Sequence, residues 1–120
     1  MVHIDSVKFG QIVIDGKKYN QVLIVNDMVY ERDEQKLSEF FGTTHYIGEW
    51  EKEMLFQQNP QLIIIGIGQS GELKVDKDFF KQAQKQGIQV ISALTPQAMQ
   101  IYNAQKTQGK RVNALIHTTC

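Results

Sequence analysis

Cysteine is all but missing from this 120-residue chain. Cys120 stands alone, so no intrachain disulfide can staple the fold. Only two prolines occur, Pro60 and Pro96, and no repeat, low-complexity tract or Pro/Ser-rich linker divides the chain. The longest apolar run, Leu62 to Ile67 with one glycine inside it, falls far short of the roughly 20 residues that cross a bilayer. An excess of charge is missing as well: 13 Lys+Arg face 13 Asp+Glu. That balance, with no platform of interleaved aromatic and basic residues, lacks the footprint of a nucleic-acid binder. The opening residues MVHIDSVKF have neither the basic-then-apolar build of a secretion signal nor the Arg/Ser-rich build of an organelle presequence. The expectation is a reduced, cytoplasmic protein with no membrane or nucleic-acid partner.

What is present suffices for one core. At 13.8 kDa the folded surface should be about 6,600 Å² against about 20,000 Å² unfolded, so roughly two thirds can be buried. With 42% hydrophobic residues this supports a single domain over residues 1–120 without a structural metal. Charge is balanced overall but not locally. Between Asp27 and Glu53 eight acids against three bases leave −5, and between Glu72 and Arg111 seven bases against three acids leave +4. Solvated helix faces of different sign account for this; a dipolar surface that steers self-association or a charged partner is the sharper reading.

The first 32 residues read as short antiparallel strands. Ile12 and Ile14 alternate with polar or outward neighbours, Asp15-Gly16 supplies a hairpin turn, Tyr19 to Val25 forms a β-rich run, and Asn26-Asp27 turns into Val29 to Arg32. Residues 33–48 are ambiguous between helix and loop, with Leu37, Phe40 and Phe41 on one potential helical face before Gly42. Residues 49–58 read as helix, ended by Asn59-Pro60. From Gln61 the pattern becomes strand, helix, strand, helix, strand. Leu62 to Ile65 is an aliphatic run covered on both faces. Asp76 caps a helix ending before Gly87, with Lys77, Lys81 and Lys85 on its solvent stripe and Phe79 and Phe80 turned to the sheet. Ile88 to Leu94 is a strand, Thr95 caps a helix with Pro96 at its first position and Gly109 as its stop, and Val112 to Thr118 is the last strand. Right-handed crossovers then give a three-layer α/β domain with a mixed central sheet, in which an antiparallel N-terminal meander precedes βαβαβ.

The most informative segment is Ile65-Gly66-Ile67-Gly68-Gln69-Ser70-Gly71-Glu72. It contains G-x-G-x-x-G after a buried strand, but the next helix cap, Asp76, comes five residues too late to hold a pyrophosphate. Nor does an acid end the following strand to hold a ribose. Ser70 as a nucleophile lacks the second glycine of an elbow, since Glu72 stands there, and finds only His117 as a later base. Two readings stay open: a glycine turn that lets the chain leave the sheet, or a small anion site built from the N–H groups of Gly66, Gly68, Gln69, Ser70 and Gly71 at the carboxyl edge of the sheet. Arg32 sits in an acidic stretch, so pairing with Glu31, Asp33 or Glu34 is the default and anion recognition the alternative. His45 lies in a polar loop, a structural hydrogen-bonding residue or a proton carrier. Tyr102 joins Ala98 and Ile101 on a buried helix face, with a hydroxyl that needs a partner. His117 and Cys120 alternate to opposite faces of a strand and make no metal pair; no metal or cofactor is expected.

The run LIIIGIGQSGELKV, the helix ending in QGIQVI, the tail LTPQAMQIYNAQKTQGKRVNALIHTTC and the upstream FGQIVIDGKKY together resemble the Mth-domain family of small α/β domains of unknown molecular function. That family includes an adipogenesis-associated protein and a mitochondrial complex I assembly factor. The resemblance covers Ile4 to Cys120, and Arg32 and His45 fall where the family tends to have an arginine and a histidine. It implies a three-layer fold with a mixed sheet and no established enzyme activity. Two functions follow: a non-enzymatic protein-interaction or assembly module, with a protein partner or a homo-oligomer, or a binding protein or enzyme for a small anion at loop 66–71. In the second, Arg32 neutralises the ligand and His45 moves a proton. The catalytic residues of such an enzyme are not identifiable from the sequence.

Overall fold

A computed structural model describes residues 2–120. The N-terminal third forms five short strands: β1 (Ile4–Lys8), β2 (Gln11–Ile14), β3 (Lys17–Tyr19), β4 (Val22–Val25) and β5 (Met28–Glu31). They do not make one meander. β1, β2 and β3 are a separate antiparallel sheet, and β4 with β5 is a hairpin added to the main sheet. The break falls at Asn20-Gln21, where the sequence pattern runs on unbroken; nothing local marks it. Both hairpin turns carry two successive positive φ values, at Asp15 and Gly16 and at Asn26 and Asp27, as the twist of tight hairpins demands.

Two helices follow, α1 (Glu34–Phe41) and α2 (Glu49–Leu55). Asp33 accepts from the Lys36 N–H to start α1, and Gly42 ends it with φ +73°. The ambiguous segment is therefore helix and then loop. α2 is shorter than its pattern, ending at Leu55. Then come β6 (Leu62–Ile67), α3 (Lys77–Lys85), β7 (Gln89–Ala93), α4 (Thr95–Thr107) and β8 (Val112–His117). Asp76 caps α3 by accepting from Phe79 N–H, as its position in the sequence implies. The central sheet runs β5-β4-β8-β6-β7, with β6 parallel to β7 and β8, and β4 antiparallel to β5 and β8.

Alternation along the inner strands divides the core. Leu62, Ile64, Ala114 and Ile116 turn to α4 and the small sheet, where they meet Ile4, Ile12, Ala98 and Tyr102. Ile63, Ile65 and Leu115 turn the other way, to Leu55 of α2 and Phe79 and Ala83 of α3. Three layers result, with an accessible surface of 6,407 Å², close to the about 6,600 Å² that chain mass implies. Phe79 is buried as its period requires, but Phe80 lies exposed on α3: one turn of helix cannot direct two adjacent residues at the same sheet. Among the described residues no helix is long and apolar enough to cross a membrane.

Candidate functional site

At the carboxyl edge of β6 and β8 the chain closes on itself. The backbone of residues 118–120 runs along the glycine loop. Gln69 N–H donates to the Thr119 carbonyl at 2.8 Å, and Ser70 and Glu72 N–H both donate to the Cys120 carbonyl, at 3.0 and 2.9 Å. Gly68 N–H donates to Thr95 Oγ1 at 3.0 Å, and that hydroxyl donates in turn to the His117 carbonyl at 2.5 Å. Thr95 is therefore not a helix cap. It is the first residue of α4, and its side chain ties the loop to β8. Gly68 adopts φ +103°, and a Cβ there would lie 2.4 Å from the Cys120 carbonyl carbon and 2.8 Å from His117 Cδ2. Only glycine lets the tail approach so closely. The amides of Gln69, Ser70 and Glu72 are thus taken by the chain's own carbonyls, and that of Gly68 by the Thr95 hydroxyl.

Beside this loop lies a buried polar network. Arg32, at the end of β5, does not pair with its acidic sequence neighbours. Its side chain is fully buried against Glu51 of α2, itself fully buried. Nε and Nη2 grip the carboxylate at 2.7 and 2.9 Å. Nη1 donates to Gln21 Oε1 and the Thr44 carbonyl, and Nη2 also to the Tyr46 carbonyl, at 2.8, 3.1 and 2.8 Å. All five guanidinium N–H groups thus have acceptors. Glu51 Oε1 additionally accepts from Gly48 N–H at the start of α2. The default pairing failed because Glu31 is exposed and the Asp33 carboxylate caps α1, whereas helix α2 brings Glu51 over the strand end.

His117 closes the network. Its Nδ1 lies 2.7 Å from Gln21 Oε1. That oxygen already accepts from Arg32, so Nδ1 carries the proton and Nε2 is the acceptor, 3.2 Å from Thr119 Oγ1. Burial, then the charge of Arg32 and the proximity of His45, push its pKa down to about 4. His45 stands edge-on to the His117 ring, with centroids 5.3 Å apart, while its carbonyl accepts from Lys74 N–H at 2.7 Å. The structure thus brings Arg32, His45 and the loop residue Gly68 to one point, with His117 as the link. Sequence reasoning missed Glu51, Gln21 and His117 in this role, and no local signal announces them. The Tyr102 hydroxyl, by contrast, makes no hydrogen bond among the described residues, and burial raises its pKa. Among the described residues no three His, Cys, Asp or Glu side chains gather as a metal set would require.

The open surface is elsewhere. Phe40 is 68% exposed, Phe41 39% and Tyr46 44%. They form one aromatic cluster with Trp50, through Phe40–Trp50 at 5.6 Å, Phe41–Tyr46 at 5.3 Å and Phe40–Phe41 at 6.4 Å. Lys36 Nζ sits 4.2 Å over the Trp50 ring. A cleft of ≈ 180 Å³ leads from Phe41 and Tyr46 past Lys52 to Asp76 at the start of α3. Lys52 bridges Glu49 and Asp76 there. Burial lowers the Lys52 pKa, but the hydrogen bonds to these two carboxylates outweigh it and raise it overall.

The fold places the chain in a class, the small Mth938-like α/β domains of unknown function. More particularly, residues 4–117 match the family described as a protein of unknown function (DUF498/DUF598), and the chain belongs to that family. It is similar to the conserved hypothetical protein PH1505 from Pyrococcus horikoshii OT3, at 27% identity over 98% of both chains with a TM-score of 0.81. It is also similar to the protein titled MT938, at 28% identity over 100% of both chains with a TM-score of 0.76. A Bordetella pertussis protein described as a Mth938-like domain shares the fold at 13% identity, over 96% of this chain and 84% of its own, with a TM-score of 0.62.

Proposed function

We propose that this domain is a non-enzymatic protein-interaction module, working in the cytoplasm, whose docking face is the aromatic cluster of α1, the 43–48 loop and α2. The observation that carries the reading is a contrast. The groups that chemistry or anion capture would need are internally engaged: Arg32 has no N–H to offer, His117 is buried, and the loop amides hold the chain's own carbonyls. The large apolar side chains that packing would claim are instead turned to solvent, and clustered exposed aromatics are the composition of interaction hot spots. A photoreactive phenylalanine analogue placed at position 40 should crosslink to a defined protein in cells, and binding of that purified protein should drop at least about tenfold in Phe40→Ser. Crosslinking at position 40 no greater than at the remote exposed Lys18, or an unchanged affinity in Phe40→Ser, overturns the reading.

A second reading has one supporting observation: four amides of residues 68–72 donate to oxygen acceptors, two of them to the one Cys120 oxygen, and successive loop amides sharing an oxygen is how a carboxylate or phosphate is held. A small anion would bind there only by displacing residues 118–120, with His45 close by to move a proton and Arg32 to neutralise the ligand only after parting from Glu51. Thermal shift with phosphate and short carboxylates tests it; a chain whose melting midpoint ignores all of them does not bind at this loop.

A further inference from the structure

The helical layer carries two patches of opposite sign side by side. α2 and α3 both pack on the same side of the central sheet, through Leu55 and through Phe79 and Ala83. Asp76 at the head of α3 is bridged to α2 by Lys52 at 2.5 Å. On α2, Glu49 and Glu53 lie opposite the buried Glu51, next to the aromatic cluster, and both are exposed. On α3, Lys77, Lys81 and Lys85 lie opposite the buried Phe79 and Ala83, all exposed, with the exposed Phe80 beside them. An acidic, aromatic surface thus adjoins a basic surface with one aromatic ring.

Such a pair is self-complementary. A two-fold axis lying in the plane of that surface, at the boundary and perpendicular to the line joining the patches, sets each acidic patch over the partner's basic patch and does so twice. Lysines fit aromatic faces as well as carboxylates, and Lys36 over Trp50 shows that geometry within one chain. We propose, resting on the reading of the aromatic cluster as a docking face, that its occupant is a second copy of this chain: α3 of each protomer seats on Phe40, Trp50, Glu49 and Glu53 of the other in a two-fold dimer. Glu49 and Glu53 of the −5 segment then meet Lys77, Lys81 and Lys85 of the +4 segment across the contact. Each chain supplies its own counter-surface, so a protein of zero net charge still has strongly oriented association.

The test is sedimentation of the full chain with two reversal variants, Lys77→Glu/Lys81→Glu and Glu49→Lys/Glu53→Lys. The wild-type chain should show twice the monomer mass at concentrations on the order of 100 μM, and weaken as salt rises from about 0.05 to 0.5 M. Each variant should be monomeric, its dissociation constant raised at least about tenfold by facing like charges. A one-to-one mixture of the two should regain the dimer mass, because acid and base again meet at both contacts. If a double reversal fails to fold, Lys81→Glu and Glu53→Lys replace it. A monomeric wild type, a dimer indifferent to either reversal, or a mixture that stays monomeric overturns the proposal. So does a mixture that associates equally well with Phe40→Ser in both chains, since that is undirected attraction. A monomeric wild type that still crosslinks another protein from position 40 removes the second copy and keeps the docking face, whereas loss of both removes both.

Discussion

Replacing Glu51 by glutamine is the most exacting perturbation of the buried network. The side chain keeps its shape, but the charge that answers Arg32 disappears and an amide N–H₂ now faces a guanidinium that can only donate. Both side chains are fully buried, so water cannot compensate. Removing one partner of a buried pair costs about 3–5 kcal/mol. A domain of this length is stable by about 6–18 kcal/mol, so a large share would be lost, and the melting midpoint should fall by roughly 10–20 °C. Arg32→Met should cost as much, because it strands Glu51 together with the carbonyls of Thr44 and Tyr46. In a double-mutant cycle with Glu51→Leu the pair should couple by about 2–3 kcal/mol. The double mutant should stay below wild type, since Gly48 N–H and the Thr44 and Tyr46 carbonyls lose their partners as well. Urea denaturation at about 0.05 and 1 M NaCl supplies the discriminating control, because a dry pair is hardly screened. A Glu51→Gln penalty below about 1 kcal/mol, or one that salt abolishes, would place the pair in water and refute the reasoning.

Three further outcomes are expected. His117 has a folded pKa near 4, below its ordinary 6.5, so the folded chain binds fewer protons than the unfolded one between those values. Its contribution, about 3 kcal/mol, is complete above pH 6.5 and disappears as pH falls toward 4. His117→Gln should flatten that slope, and an NMR titration of the ring with a midpoint above 6 contradicts it. Gly68→Ala places a Cβ against the Cys120 backbone in a left-handed conformation and should cost about 2–5 kcal/mol; a loss under about 0.5 kcal/mol in urea means that the tail does not pack there. Tyr102→Phe deletes a buried hydroxyl without a hydrogen bond, so it should leave stability unchanged or raise it by about 1 kcal/mol, and a clear destabilisation would show that the hydroxyl has a partner.

Much of the fold was legible where a local rule sufficed. Asp76 caps α3 because its carboxylate reaches the N–H three residues on, and the Asp15-Gly16 and Asn26-Asp27 turns form because those residues tolerate positive φ. The βαβαβ half follows from fully apolar strands between amphipathic helices. Where strands change sheet was not legible: Tyr19 to Val25 reads as one β-rich run, and the bend at Asn20-Gln21 exists because Arg32 N–H takes the Gln21 carbonyl and Thr118 Oγ1 takes that of Asn20. The site was half legible. Arg32 and His45 were singled out, yet the partner of Arg32 is Glu51, chosen by helix placement over a sequence separation of 19 residues.

The sequence by itself determined a single α/β core without disulfides, the helix and turn boundaries set by caps and glycines, and the segregation of acidic from basic residues. These depend on interactions within a few residues of each other. Tertiary structure alone decided that the glycine loop is filled by residues 118–120, that Arg32 is sealed in by five acceptors from three separate segments, and that Phe40, Phe41 and Tyr46 are left uncovered. Each of these outcomes joins groups far apart along the chain. Burial and hydrogen-bond saturation are properties of the space between elements, and that space exists only once the layers have packed.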